Sequence, residues 1–139
     1  MKIIVTSHGD LCDGILSSYK MLAGENEDII SISLGKDDMG EFQEQLEKTI
    51  NNTAGEILIL CDIYGGTPYN VSYYSYLEQS NRIRIVSGVN LPMVLEAGLS
   101  LHSPISLDEI VNVAIEAGSK SIKVAEEISM NEEIEEDIF

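Results

Sequence analysis

Tryptophan is absent from this chain, and cysteine and histidine appear only twice each. Two cysteines, Cys12 and Cys61, have neither CxxC spacing nor enough partners for a disulfide framework, so both read as reduced, mostly buried thiols. No apolar run approaches the roughly 20 residues of a membrane-spanning helix. The opening Met1-Lys2-Ile3-Ile4-Val5 is too short and too β-branched for a signal-peptide core. The sequence therefore reads as a soluble, cytoplasmic protein. Basic residues are also scarce: 8 against 24 acidic ones, a net charge of −16. Such a surface repels nucleic-acid phosphates and anionic lipid, which argues against both as partners and suits a partner with a basic patch. No cluster with metal-ligand spacing is visible; His8 and Cys12 stand four apart, but two ligands make a poor zinc site. Neither a metal nor a cofactor is implied.

What is present is an alternation of strand-like and helix-like segments in a chain of 139 residues, long enough for one domain with a real core. Lys2–Ser7 is a short β-branched strand suited to burial on both faces. A helix follows with Leu11, Ile15, Tyr19 and Leu22 on one face, stopped near Gly24. Ile29–Leu34 is a second strand. Asp38 and Glu41 form a capping box for a helix turning Phe42, Leu46 and Ile50 inward. Glu56–Cys61 is the strongest strand. Pro68 to about Leu77 is a helix weakened by its tyrosines, Arg82–Ser87 a fourth strand, and Pro92–Leu99 a short helix. Ser106 and Glu109 cap a last helix with Leu107, Ile110, Val111 and Ala114 on one stripe. Ile122-Lys123-Val124 reads as a brief final strand. The expected fold is a three-layer α/β/α domain over residues 1–125, with a central, mainly parallel sheet, followed by an acidic tail over residues 126–139. That tail reads as solvated or partner-dependent, or as a strand docking on a second subunit.

The chemistry-bearing residues follow strand ends, where ligands bind in such folds. His8 ends the first strand, and Gly9 removes the side chain that would crowd the imidazole. The following helix start offers free amides to an anion. Asp62 closes an intensely apolar strand, so a buried carboxylate there needs a partner: a loop amide, a helix start, or His8. A bond from the His8 Nδ1–H to Asp62 would fix the tautomer and turn Nε2 outward as a nucleophile. Gly65 and Gly66 permit close backbone approach, Thr67 is a good N-cap and Pro68 a good first helical residue. The Gly66 and Thr67 amides with the Thr67 hydroxyl could then hold phosphoryl oxygens; alone, the stretch reads equally as a tight capped turn. His102, in a loop before Pro104, is structural.

Three motifs together carry a resemblance: His8-Gly9, then Asp62-Ile63-Tyr64-Gly65-Gly66-Thr67-Pro68-Tyr69-Asn70, then Gly88-Val89-Asn90-Leu91-Pro92-Met93. They resemble the enzyme IIA domain of the mannose-family (mannose/fructose/sorbose) sugar phosphotransferase system, over roughly Met1 to Ser121. The resemblance implies a phosphocarrier whose histidine takes phosphate from the protein HPr and passes it to a IIB component, which serves membrane IIC and IID components. It makes His8 the phosphorylated residue, Asp62 its orienting partner, and Gly9, Gly65, Gly66 and Thr67 the phosphate holders, with Ser7 adding a hydroxyl. The resemblance makes Tyr64 a wall of the site; because water must be excluded from it, Tyr64 and the apolar Leu91 and Met93 are candidates for that wall and for partner docking. It also implies a homodimer with an exchanged C-terminal strand, and a stand-alone IIA or an excised piece, because many relatives continue into IIB.

Three rival readings share these residues. The phosphocarrier subunit of dihydroxyacetone kinase would use the same histidine chemistry with another acceptor. A receiver-like signalling domain would carry phosphate on Asp62, but it needs an acidic pair after the first strand and a lysine after a fifth, and neither is in place. A regulatory module would be phosphorylated on His8 without passing the group on.

Overall fold

In a computed structural model, which describes residues 1–128, nine elements follow one another as β1 (Lys2–His8), α1 (Leu11–Ala23), β2 (Ile29–Leu34), α2 (Met39–Asn51), β3 (Ile57–Cys61), α3 (Thr67–Glu78), β4 (Ile83–Ser87), α4 (Leu91–Ser100) and α5 (Leu107–Lys120). The four strands form one sheet in the order β2-β1-β3-β4, every pair parallel. All five residues of β3 are buried, as a strand covered on both faces requires. Alternate residues then serve two separate cores. Ile3, Val5, Leu58 and Leu60 pack against Cys12, Ile15 and Tyr19 of α1 and against α4 and α5. Ile4, Ile57, Ile59 and Cys61 pack against Phe42, Leu46 and Ile50 of α2 and Val71 of α3.

The order of connections creates the site. From β1 the chain moves outward to β2 through α1; from β3 it moves the opposite way to β4 through α3, on the other face. Right-handed crossovers require those faces. The carboxyl ends of β1 and β3 are thus a topological switch point, where two neighbouring strands send their following loops apart and leave a crevice. Thr6 pairs with Cys61, so His8 and Asp62 emerge side by side from that register.

Several local details depart from the sequence expectation. The buried stripe of α1 runs through Cys12, Ile15 and Tyr19, while Leu11 and Leu22 are exposed at its two ends. The Asp38–Glu41 capping box does not form. Asp37 takes a positive φ of 69°, and the Asp38 carboxylate folds over Gly35, where a Cβ would lie 2.7 Å from Oδ2. The Ser106–Glu109 box forms with both bonds. At α3 the N-cap is Gly66, so Thr67 and Pro68 are the first two helical residues. Ile122–Val124 is not a strand: these residues have no ladder partner, and Ile122 and Val124 are 82% and 81% exposed. An exchanged strand further along, and most of the acidic tail, lie outside the described residues.

Candidate functional site

The His8 backbone N–H donates to Asp62 Oδ2 at 2.9 Å, and the His8 Nδ1 lies 2.8 Å from the same oxygen. The other oxygen, Oδ1, accepts the Ile63 N–H at 2.9 Å. One carboxylate therefore ties the end of β1 to the end of β3 and holds the ring by one nitrogen. The Asp62 side chain is 7% exposed and the His8 side chain 48%. Burial pushes the Asp62 carboxyl up, but the His8 N–H, the His8 ring, the Ile63 N–H and imidazole charge together outweigh it, and the net shift is downward. Asp62 is ionised at neutral pH and can only accept, so Nδ1 carries the ring hydrogen. In that tautomer Nε2 keeps a free lone pair, on a ring that is half-exposed.

Gly66 closes the other side. A Cβ there would lie 2.8 Å from His8 Cε1 and 3.5 Å from Nε2, so the Cε1–Nε2 edge of the ring stands against the N-cap residue at the first turn of α3. At that turn the Thr67 and Tyr69 N–H groups carry no hydrogen bond among the described residues, and Pro68 has none to offer. The Thr67 hydroxyl likewise makes no side-chain hydrogen bond among the described residues. Two open amides and the positive end of a 12-residue helix thus face the rim beside the imidazole. Gly65 is held at φ 79°, a conformation that favours glycine.

Other residues proposed from sequence serve the site's frame. The Gly9 N–H, at φ 58°, donates to Leu34 O at 2.7 Å and extends the sheet, so it is not an open donor. Ser7 is fully buried; its hydroxyl donates to Gly9 O at 3.2 Å and accepts the Cys12 N–H at 2.9 Å, pinning the β1–α1 loop and capping α1. That double engagement corrects its expected role as a phosphate ligand. Tyr64 is 74% exposed, its ring 4.7 Å from that of Tyr69, and stands at the rim. Met93 is a core residue rather than a wall: it is buried, and its Cε packs against Gly118. Leu91 is half-buried against the same core. Neither thiol competes as a nucleophile, because burial pushes Cys12 up and Cys61 up to about 12. His102 sits in the exposed turn after α4, at the far rim. The Tyr69 amide was not legible from sequence, because its availability depends on which residue caps α3. A groove of about 400 Å³ lies away from the His8–Asp62 pair, between α4 and α5.

Comparisons with known proteins identify the family. The family model described as the fructose IIA component of the phosphotransferase system matches residues 2–115. A fructose-specific EIIA component of Bacillus subtilis is 31% identical over 130 residues, 91% of this chain and 88% of that protein. A mannose-specific EIIAB component of Escherichia coli is 29% identical over 126 residues, 87% of this chain; the match spans only 38% of that longer protein. Among solved structures, an EIIA component from Streptococcus agalactiae superposes with a TM-score of 0.82 at 34% identity, covering 88% of this chain and 95% of its own. A mannose/sorbose-specific IIA subunit from Enterococcus faecalis gives 0.81 at 28% identity, covering 94% and 98%. With the model spanning most of the fold and the His8–Asp62 pair at its switch point, the chain belongs to the mannose family of phosphotransferase-system IIA components.

Proposed function

We propose that this protein is a cytoplasmic phosphoryl carrier that accepts phosphate from phospho-HPr on His8 and delivers it to a IIB component for sugar uptake. The observation that carries the reading is the 2.8 Å contact between His8 Nδ1 and a buried, ionised Asp62. In the transfer step the Nε2 lone pair attacks the phosphorus of a phosphohistidine on the donor. The donor's N–P bond breaks as the Nε2–P bond forms, and its electron pair leaves with the donor imidazole. His8 keeps its Nδ1 hydrogen and becomes positively charged, and Asp62 stabilises that charge. Nothing needs to be activated by proton removal, so catalysis reduces to in-line positioning and to donors aimed at the phosphoryl oxygens. The open Thr67 and Tyr69 amides and the Thr67 hydroxyl are suited to that task. Reversal of the same step onto a IIB acceptor completes the cycle without net chemistry at the site. A homodimer accords with the family resemblance.

A phosphoaspartate on Asp62 is disfavoured by geometry. Both carboxylate oxygens are engaged, by His8 and Ile63, and the side chain is 7% exposed. Incubation with phosphoenolpyruvate, enzyme I and HPr tests the reading: one phosphoryl group should appear on His8 and then move to a IIB domain. Retention in the presence of IIB, with transfer to a dihydroxyacetone kinase subunit, would favour the related kinase carrier; retention in the presence of both would favour a regulatory module.

A further inference from the structure

The loop that faces the imidazole has a weak point. Gly65 occupies a φ of 79°, and Gly66 has no room for a side chain beside His8 Cε1. These two requirements place glycine on both sides of one peptide group, which is therefore the least restrained in the site. Its N–H is held only by a long 3.3 Å bond to Ile63 O. Its carbonyl is held by a side chain: Asn70 Nδ2, one turn into α3, donates to Gly65 O at 3.0 Å. The Asn70 backbone N–H simultaneously makes the first helical bond of α3, to Gly66 O at 2.8 Å. One residue thus grips the two successive carbonyls of the glycine pair.

We infer that Asn70 is a positioning residue for phosphoryl transfer, holding the Gly65 carbonyl on α3 and out of the space beside His8 Nε2. The inference rests on the phosphocarrier reading. Rotation of an unheld Gly65–Gly66 peptide would turn a carbonyl oxygen toward an incoming phosphoryl dianion, replacing a neutral surface with a repulsive dipole. The donors that face the rim, the Thr67 and Tyr69 amides and the Thr67 hydroxyl, are all uncharged, so a carbonyl turned toward the phosphoryl group would not be offset by a lysine or arginine. A glycine pair in the same loop without such a clamp would sample both orientations, and only a fraction of molecules would be competent. Asn70 itself is exposed and its side chain packs into no core, so its conservation of the loop geometry is separable from folding.

The test uses the whole chain and a small-molecule donor, phosphoramidate, whose P–N bond breaks with loss of ammonia as the bond to His8 Nε2 forms. Wild type, Asn70→Ala, Asn70→Asp and His8→Ala are labelled in parallel. Asn70→Ala is expected to lower the labelling rate about tenfold, and Asn70→Asp further because its carboxylate repels the carbonyl, with Tm moved by no more than about 3 °C. The Gly66 and Thr67 amide resonances of Asn70→Ala should show microsecond-to-millisecond exchange absent from wild type, the signature of a peptide sampling two orientations. Labelling of Asn70→Ala at the wild-type rate, or a slowed rate with unchanged Gly66 and Thr67 resonances, would overturn the inference. Wild type that takes no label, or His8→Ala that takes it as well as wild type, would instead overturn the phosphocarrier reading on which it rests.

Discussion

The two rims of the sheet are built to opposite specifications. At the amino ends of the strands, cations stitch the chain together. The Arg82 guanidinium donates to the carbonyls of Ile50, Thr53 and Gly55 and to Gln79 Oε1, fastening the end of α2 to the starts of β3 and β4. Lys2 pairs with Asp28 at 3.2 Å, tying the starts of β1 and β2. At the carboxyl ends no lysine or arginine plays that part among the described residues; the ties are the Asp62 carboxylate and the Asn70 amide. There the loops carry glycines at positive φ, Gly9, Gly65 and Gly88, a half-exposed imidazole and amides without acceptors. The amino rim ties its carbonyls to charged side chains; the carboxyl rim, though held by Asp62 and Asn70, leaves the Thr67 and Tyr69 amides open to a ligand. The difference separates residues that hold the fold from residues that perform chemistry, and substitutions should divide accordingly.

The largest expected effect is at the nucleophile. His8→Ala should abolish phosphate uptake in the HPr-driven assay and lower thermal stability only modestly, because the half-exposed ring is lost but Asp62 Oδ2 keeps the His8 backbone N–H. Asp62→Asn should come next. It keeps the shape but loses the charge that stabilises a positive ring, and transfer should fall by about 10²–10⁴-fold in a rapid-quench measurement. Gly66→Ala sharpens the contrast further. Its φ of −75° suits alanine, and the atom in the way is the end of a side chain, so the fold should tolerate it. The imidazole, however, must swing from its position by several tenths of an ångström, and transfer should drop about 100-fold with little loss of Tm. Arg82→Met should do the converse: leave transfer intact but reduce urea-unfolding stability by about 2–3 kcal/mol, as three carbonyls lose a charged donor. The comparison breaks if Arg82→Met slows transfer as much as Gly66→Ala does.

The smallest effect is on pH dependence. The Asp62 carboxyl titrates lower in the native protein than in the unfolded chain. Its contribution to stability is therefore full above the ordinary carboxylate range, near pH 4, and is lost as the pH falls through the lowered native value. Acid unfolding of Asp62→Asn should consequently be less steep than that of wild type over that window, as followed by circular dichroism.

Much of this arrangement is readable from the polymer. The β-branched and leucine runs of β1 and β3 mark strands buried on both faces, and Phe42, Leu46 and Ile50 mark the inner face of α2. Parallel strands with short loops place His8 and Asp62 at a common rim before any distance is known. Other features depend on tertiary geometry. The inner face of α3 is Val71, Ser72 and Ser75, and the Ser72 hydroxyl bonds back to Pro68 O at 2.7 Å, so its apolar signal is faint although the helix is regular. Ser7 and Met93 look like surface candidates because they flank motifs, yet both turn into the interior. Asp38 has the right spacing for a cap, but a positive φ at Asp37 sends its carboxylate the wrong way. The Asn70 grip on Gly65 joins residues five apart across a loop–helix boundary, a spacing no periodic pattern announces.

The central claim is that Asp62 fixes the His8 tautomer and leaves Nε2 as the phosphoryl acceptor. The most direct measurement is mapping of the phosphorylated protein by mass spectrometry, with nitrogen-15 spectra of the imidazole to identify the modified atom. The account predicts a single acid-labile, base-stable phosphoryl group on Nε2 of His8. A group on Nδ1, or a hydroxylamine-labile one on Asp62, would contradict it.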